Sequence, residues 1–125
     1  MKAFALPKSE RISGRQALLD LLEKGKGGTA GCLRFKAAPS CVDGDSAVSR
    51  IMVSVPKKQF KRAVKRNLLK RRMREAYRLR KSMLQFPVDI LFVYIGREVL
   101  PYETIYNDMS EALERIAAMR DEQNA

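Results

Sequence analysis

Residues 62–84, RAVKRNLLKRRMREAYRLRKSML, and residues 88–95, VDILFVYI, decide the fold, with Pro87 between them. The first stretch reads as one long helix closed by the proline. At about 100° per residue, Asn67, Lys70, Arg71, Arg74, Arg78 and Lys81 project within an arc of roughly 100°. Leu69, Met73 and Ala76 fall on the opposite side, so the helix can anchor to a core while it shows a basic ridge. The second stretch is almost continuously apolar, as expected of a central strand.

Downstream, a last helix begins between Pro101 and Thr104, with Ile105, Met109, Ala112, Leu113 and Ile116 as its apolar stripe. Upstream, Val48 to Val55 reads as a strand ended by Pro56. Cys32 to Ala38 alternates Leu33, Phe35 and Ala37 against Arg34 and Lys36, a half-exposed strand. Asp43-Gly44 between these two strands is a turn signal, so they are expected to pair as a hairpin. At the start, Ser13 with Gln16 makes a capping-box pattern, Leu18, Leu19, Leu21 and Leu22 follow, and Lys24-Gly25 supplies a stop. The order helix, strand, strand, helix, strand, helix is an α+β class: a two-layer sandwich of helices against a small sheet. Residues 1–125 read as one domain.

The 125 residues carry 25 Lys and Arg against 14 acids, a net charge of +11. Between Lys57 and Lys81 stand 13 basic residues and one acid, Glu75, so the whole excess lies in one fifth of the chain. Like charges at i, i+4 repel and destabilise a helix, so a face that keeps them is expected to meet a polyanion. Arg at 66, 71, 72, 74 and 78 favours phosphate through its bidentate fork. Nucleic acid fits best; an anionic membrane surface or a merely solvated face is the alternative.

Other chemistries find little support. The sequence has no histidine, hence neither the commonest general base nor the commonest metal ligand. There is no P-loop, dinucleotide fingerprint or nucleophile elbow. Cys32 and Cys41 make neither a disulfide framework nor a zinc spacing. Asp43 and Asp45 suit a turn better than a cation site. The apolar run before Pro7 is too short for a signal peptide, and no run approaches the roughly 20 residues of a bilayer span. A cytoplasmic protein without a catalytic site of its own is expected.

Ser54-Val55-Pro56-Lys57-Lys58 and Arg62-Ala63-Val64-Lys65-Arg66-Asn67-Leu68-Leu69-Lys70-Arg71, followed by Arg74-Glu75, resemble the signature of the bacterial ribonuclease P protein family. The flanks agree, and the resemblance spans about residues 8–118. It implies an α+β sandwich whose motif helix sits in an unusual left-handed β-α-β crossover. It also implies a holoenzyme subunit that binds the catalytic RNA and the 5′ leader of precursor tRNA. The endonucleolytic removal of the leader would then depend on Mg²⁺ bound mainly by the RNA. Carried over residue by residue, Lys57, Lys58, Arg62, Arg66, Asn67, Lys70, Arg71 and Arg74 face the catalytic RNA, and Arg78 extends the same ridge. Leu18, Leu22, Phe35, Lys36 and Val55 match a central cleft for the leader. Leu68 departs from the family's arginine, so one phosphate contact is expected to be lost or taken over by Arg72, and Leu18 and Leu22 stand where aromatics are common. Leu18 and Leu22 read equally well as core. A non-catalytic RNA-binding module of another assembly is the rival reading.

Overall fold

Val88–Tyr94 forms a strand in which six of seven residues are buried, and a strand covered on both faces belongs inside a sheet. The computed structural model describes residues 12, 15–39, 49–84 and 88–124. Its elements run α1 (Arg15–Lys24), β1 (Lys26–Ala30), β2 (Leu33–Pro39), β3 (Arg50–Ser54), α2 (Ala63–Arg80), β4 (Val88–Tyr94) and α3 (Tyr102–Asn124). A 3₁₀ turn, Lys81–Met83, ends α2. The sheet order is β1-β2-β4-β3. β4 pairs antiparallel with β2 and parallel with β3, so β3-α2-β4 is a crossover between neighbouring strands.

The α+β sandwich matches the sequence reading, with two corrections. The expected hairpin between the second and third strands does not form, because β4 lies between them. Asp43-Gly44, like Ser13, Cys41, Asp45 and Pro87, falls outside the described residues. A local turn signal lost to burial: the most apolar strand takes the middle of the sheet, where both its edges and both its faces are covered. The second correction is β1, absent from the sequence reading. It pairs antiparallel with β2 through a two-residue turn at Gly31-Cys32. Gly31 has φ +56°, the positive φ that the tight turn of a hairpin requires.

Most of the core lies between the sheet and the pair α2/α3. Leu69, Met73, Ala76 and Tyr77 from α2 are fully buried, as are Ile105, Met109, Ala112 and Leu113 from α3. Burying each large side chain stabilises the fold by about 1.5–3 kcal/mol. The Tyr77 and Phe92 rings tilt against each other at 6.3 Å. Helix α1 covers the other face in part, where Ile12, Leu21, Ala38 and Leu91 form a smaller buried cluster. Two contacts tie down the margins of the β3/β4 pair. The Ile12 backbone N–H donates to the Ile51 carbonyl at 2.7 Å. Arg50 meets buried Asp89 through two hydrogen bonds, of 3.0 and 2.7 Å.

Candidate nucleic-acid interface

Two surfaces need to be built up from their residues: the basic segment around α2 and the groove beside α1.

The segment between β3 and α2 is held from beneath. Val55 and Phe60 are buried, the Phe60 ring packing on Tyr94 at 5.8 Å. The N–H groups of Gln59 and Phe60 both donate to the Pro56 carbonyl. With its two ends anchored, this turn leaves Lys57 and Lys58 exposed. Arg62 occupies the N-cap of α2 in extended conformation without a side-chain cap, and the first turn contains no acid. The positive end of the helix is therefore surrounded by cations, an arrangement that an incoming anion stabilises.

Along α2 the expected polarity holds. Leu69, Met73 and Ala76 are buried, whereas Asn67 and Arg71 are exposed and Lys70, Arg74 and Arg78 half-buried. The basic side chains are not equivalent, which the helical wheel could not reveal. Arg66 donates to the carbonyls of Phe60 and Lys61 at 2.7 and 2.9 Å, stapling the preceding turn to the helix. Arg72 donates to the Leu100 carbonyl at 2.6 Å, which ties one nitrogen of its guanidinium to the fold. Arg80 donates to Ser110 Oγ and lies over the Tyr106 ring.

Arg78 meets Glu75 in two hydrogen bonds, the shorter 2.7 Å, and that carboxylate pushes the guanidinium pKa up. The ridge thus carries an acid bonded to one of its cations. Among the described residues, Lys57, Lys58, Arg62, Lys65, Lys70 and Arg71 have no ion-pair partner.

The groove opens where α1 leaves the far face of the sheet incompletely covered, with a volume of about 490 Å³. Strand register builds its floor in two rows. Gly27, Lys36 and Leu91 stand side by side, and Thr29, Arg34 and Val93 form the next row. Leu22 of α1, 42% exposed, walls one side.

Of the five residues expected in the cleft, Leu22, Phe35 and Lys36 line the groove. Leu18 is half-buried and packs on the small cluster under α1. Val55 is corrected, and Phe35 lines the groove only from beneath. Phe35 is 1% exposed and Val55 5%, and both belong to the main core. Phe35 borders the groove but presents almost no ring surface. Alternation along β2 explains this: residues 33, 35 and 37 face α2 and α3, and residues 34 and 36 face α1. Arg34 is the groove residue that the cleft assignment missed, although it follows from Lys36 at a spacing of two.

The ribonuclease P family model matches residues 6–117. The ribonuclease P protein component of Porphyromonas gingivalis is 37% identical over 121 residues, covering 91% of this chain and 88% of that protein. The component from Syntrophus aciditrophicus is 35% identical over 96 residues, covering 77% of this chain and 76% of its own. In fold, the RNase P protein of Staphylococcus aureus superposes with a TM-score of 0.73 at 24% identity, over 88% of this chain and 96% of that one. The Thermotoga maritima RNase P protein gives 0.72 at 23% identity, over 85% and 96%. With the family model covering most of the chain and relatives above one-third identity over three-quarters or more of their length, this chain belongs to the ribonuclease P protein family.

Proposed function

We propose that this protein binds the ribonuclease P catalytic RNA through the turn before α2 and the exposed ridge of α2, and holds the 5′ leader of precursor tRNA in the groove beside α1. The observation that carries the reading is the concentration of charge: 13 basic residues against one acid between Lys57 and Lys81, with the remaining chain nearly neutral. Lys57, Lys58, Arg62, Asn67, Lys70, Arg71 and Arg74 form the contact surface. Arg66 shapes it, and Arg78 joins it on leaving Glu75. Counterions released from the RNA drive assembly, so binding falls steeply with salt.

The protein's role is positional. Its cations reduce repulsion between two RNAs and fix the leader near the scissile phosphodiester. Magnesium held by the RNA would supply an activated water for hydrolysis, with the phosphate kept on the 5′ end of the tRNA and a 3′-hydroxyl on the leader. Among the described residues no three carboxylate or thiol donors gather into a metal site. Among the described residues no helix is long and apolar enough to cross a membrane. The proposed tRNA processing is assigned to the cytoplasm.

The test is cleavage of precursor tRNA at low Mg²⁺ by a bacterial ribonuclease P RNA, with and without the protein. Strong stimulation, with no cleavage by the protein alone, is expected. RNA binding without stimulation across RNA subtypes would instead place the protein as a binding module of another assembly.

A further inference from the structure

The groove floor carries a cation and an opening that the cleft assignment leaves unexplained. Arg34 is exposed on it, and among the described residues no hydrogen bond or ion pair holds its guanidinium. Lys36 stands two residues along the same strand, about 7 Å away at 3.3 Å per residue. Two cations at that spacing on a strip otherwise made of Thr29, Leu91 and Val93 match a single polyanionic strand laid along it.

The opening is Gly27. Glycine inside a strand weakens it, so each one needs a reason. At Gly25 a Cβ would meet the Leu21 carbonyl oxygen and the Lys36 side chain, and at Gly28 it would enter the Phe35 ring. Gly31 has its positive φ. At Gly27 an added Cβ would meet only the Phe35 carbonyl oxygen, at an ordinary 3.4 Å. The fold therefore does not demand glycine at this position. What a side chain would occupy is the groove itself, in the row of Lys36 and Leu91.

We propose that Arg34 and Gly27 are leader-contacting positions: Arg34 pairs with a leader phosphate, and the bare backbone at Gly27 seats the adjoining base. This rests on the leader-binding reading of the groove and adds two residues to it. The one aromatic residue lining the groove among the described residues, Phe35, is 1% exposed and offers almost no ring for stacking. Charge and space at these two positions therefore take the place of stacking, which elsewhere supplies much of sequence-tolerant single-strand binding.

The two positions have different signatures. The experiment reconstitutes the holoenzyme with a bacterial ribonuclease P RNA. It compares affinity for precursor tRNA bearing a long leader with affinity for the same tRNA cut back to a single leader nucleotide, over a range of salt. Arg34→Gln is expected to lower the long-leader advantage several-fold and to reduce its salt slope by about one. Gly27→Val is expected to remove the advantage with the slope unchanged and the thermal midpoint not lowered, and Gly27→Ala to fall between. Wild-type leader preference that survives in Gly27→Val, or an unchanged slope in Arg34→Gln, overturns the assignment of that residue while the groove reading stands. A wild-type holoenzyme indifferent to leader length overturns the groove reading and this proposal together.

Discussion

Asp108 on α3 accepts a hydrogen bond from the backbone N–H of Cys32 at 3.0 Å, joining residues 76 positions apart. The bond fixes the β1–β2 turn to the last helix. The guanidinium of Arg115 supports the same strand by donating to the Thr29 carbonyl. A Cβ at Gly31 would collide with the Asp108 carboxylate, so turn and acceptor fit only as a pair. Asp108→Ala leaves a part-buried N–H without its acceptor and should cost about 1–3 kcal/mol, read as a lower urea midpoint. Gly31→Ala should also destabilise, through both the collision and the positive φ.

The same corner makes the fold sensitive to alkali. Burial, and then Asp108, push the Cys32 thiol up to about 12. The unfolded thiol ionises near 9, so the neutral form is favoured by folding. Its contribution is complete below about pH 9 and is lost as pH rises toward about 12. Urea midpoints at about pH 8 and about pH 10.5 should differ less in Cys32→Ala than in the parent. Equal differences would remove Cys32 from the alkaline transition.

Arg66 and Lys70 stand one turn apart and should fail differently. Lys70→Ala should weaken RNA binding and lower the salt slope by about one, with thermal stability unchanged. Arg66→Ala should in addition lose about 1–2 kcal/mol of stability, because two carbonyls of the preceding turn lose their donor. Both bonds leave from one nitrogen, Nη1, so the shorter side chain in Arg66→Lys should recover only part of the loss. Identical thermal midpoints for all three variants would contradict the staple.

The ion pair between Arg50 and Asp89 gives a test away from RNA. Asp89 is 7% exposed, and removing one member of a buried pair typically costs about 3–5 kcal/mol. Asp89→Ala should therefore lower the urea midpoint strongly, and a joint Arg50→Met, Asp89→Leu replacement should recover much of the loss. A double variant as unstable as the single one would mean that the pair's role is not electrostatic.

What the sequence made legible follows from which signals are periodic. The stripe Leu69, Met73, Ala76 and the stripe Ile105, Met109, Ala112, Leu113 repeat at helical spacing, and all seven residues are buried. β4 announced itself by unbroken apolarity. β1 did not, since Lys26-Gly27-Gly28-Thr29-Ala30 has neither alternation nor β-branched weight beyond Thr29. Its strand conformation comes from pairing with β2. Along β2 the period of two was plain, yet period does not say which face meets which helix. One face meets α2 and α3 and the other meets α1 only in part, so the period alone does not show that Phe35 sits in the core and Arg34 in the groove. Likewise, a helical wheel puts Arg72 and Arg78 among the cations without the Leu100 carbonyl and the Glu75 carboxylate that hold them.

Glu75 provides the last test, because it competes with phosphate for Arg78. The pair is partly exposed, with side-chain exposures of 28% and 22%, so its loss should change stability by less than about 1 kcal/mol. Its effect on RNA should be larger. Glu75→Gln removes the one acid among 14 charges between Lys57 and Lys81 and releases a guanidinium whose bidentate fork suits phosphate. RNA affinity should rise several-fold, with a salt slope steeper by about one. An internal marker accompanies the change. The Tyr102 hydroxyl has its pKa raised first by burial and then by Glu75, so the phenol should titrate at lower pH in Glu75→Gln. A lowered Tyr102 titration with unchanged RNA affinity would show the carboxylate neutralised and Arg78 still off the RNA, ending the ridge at Arg74.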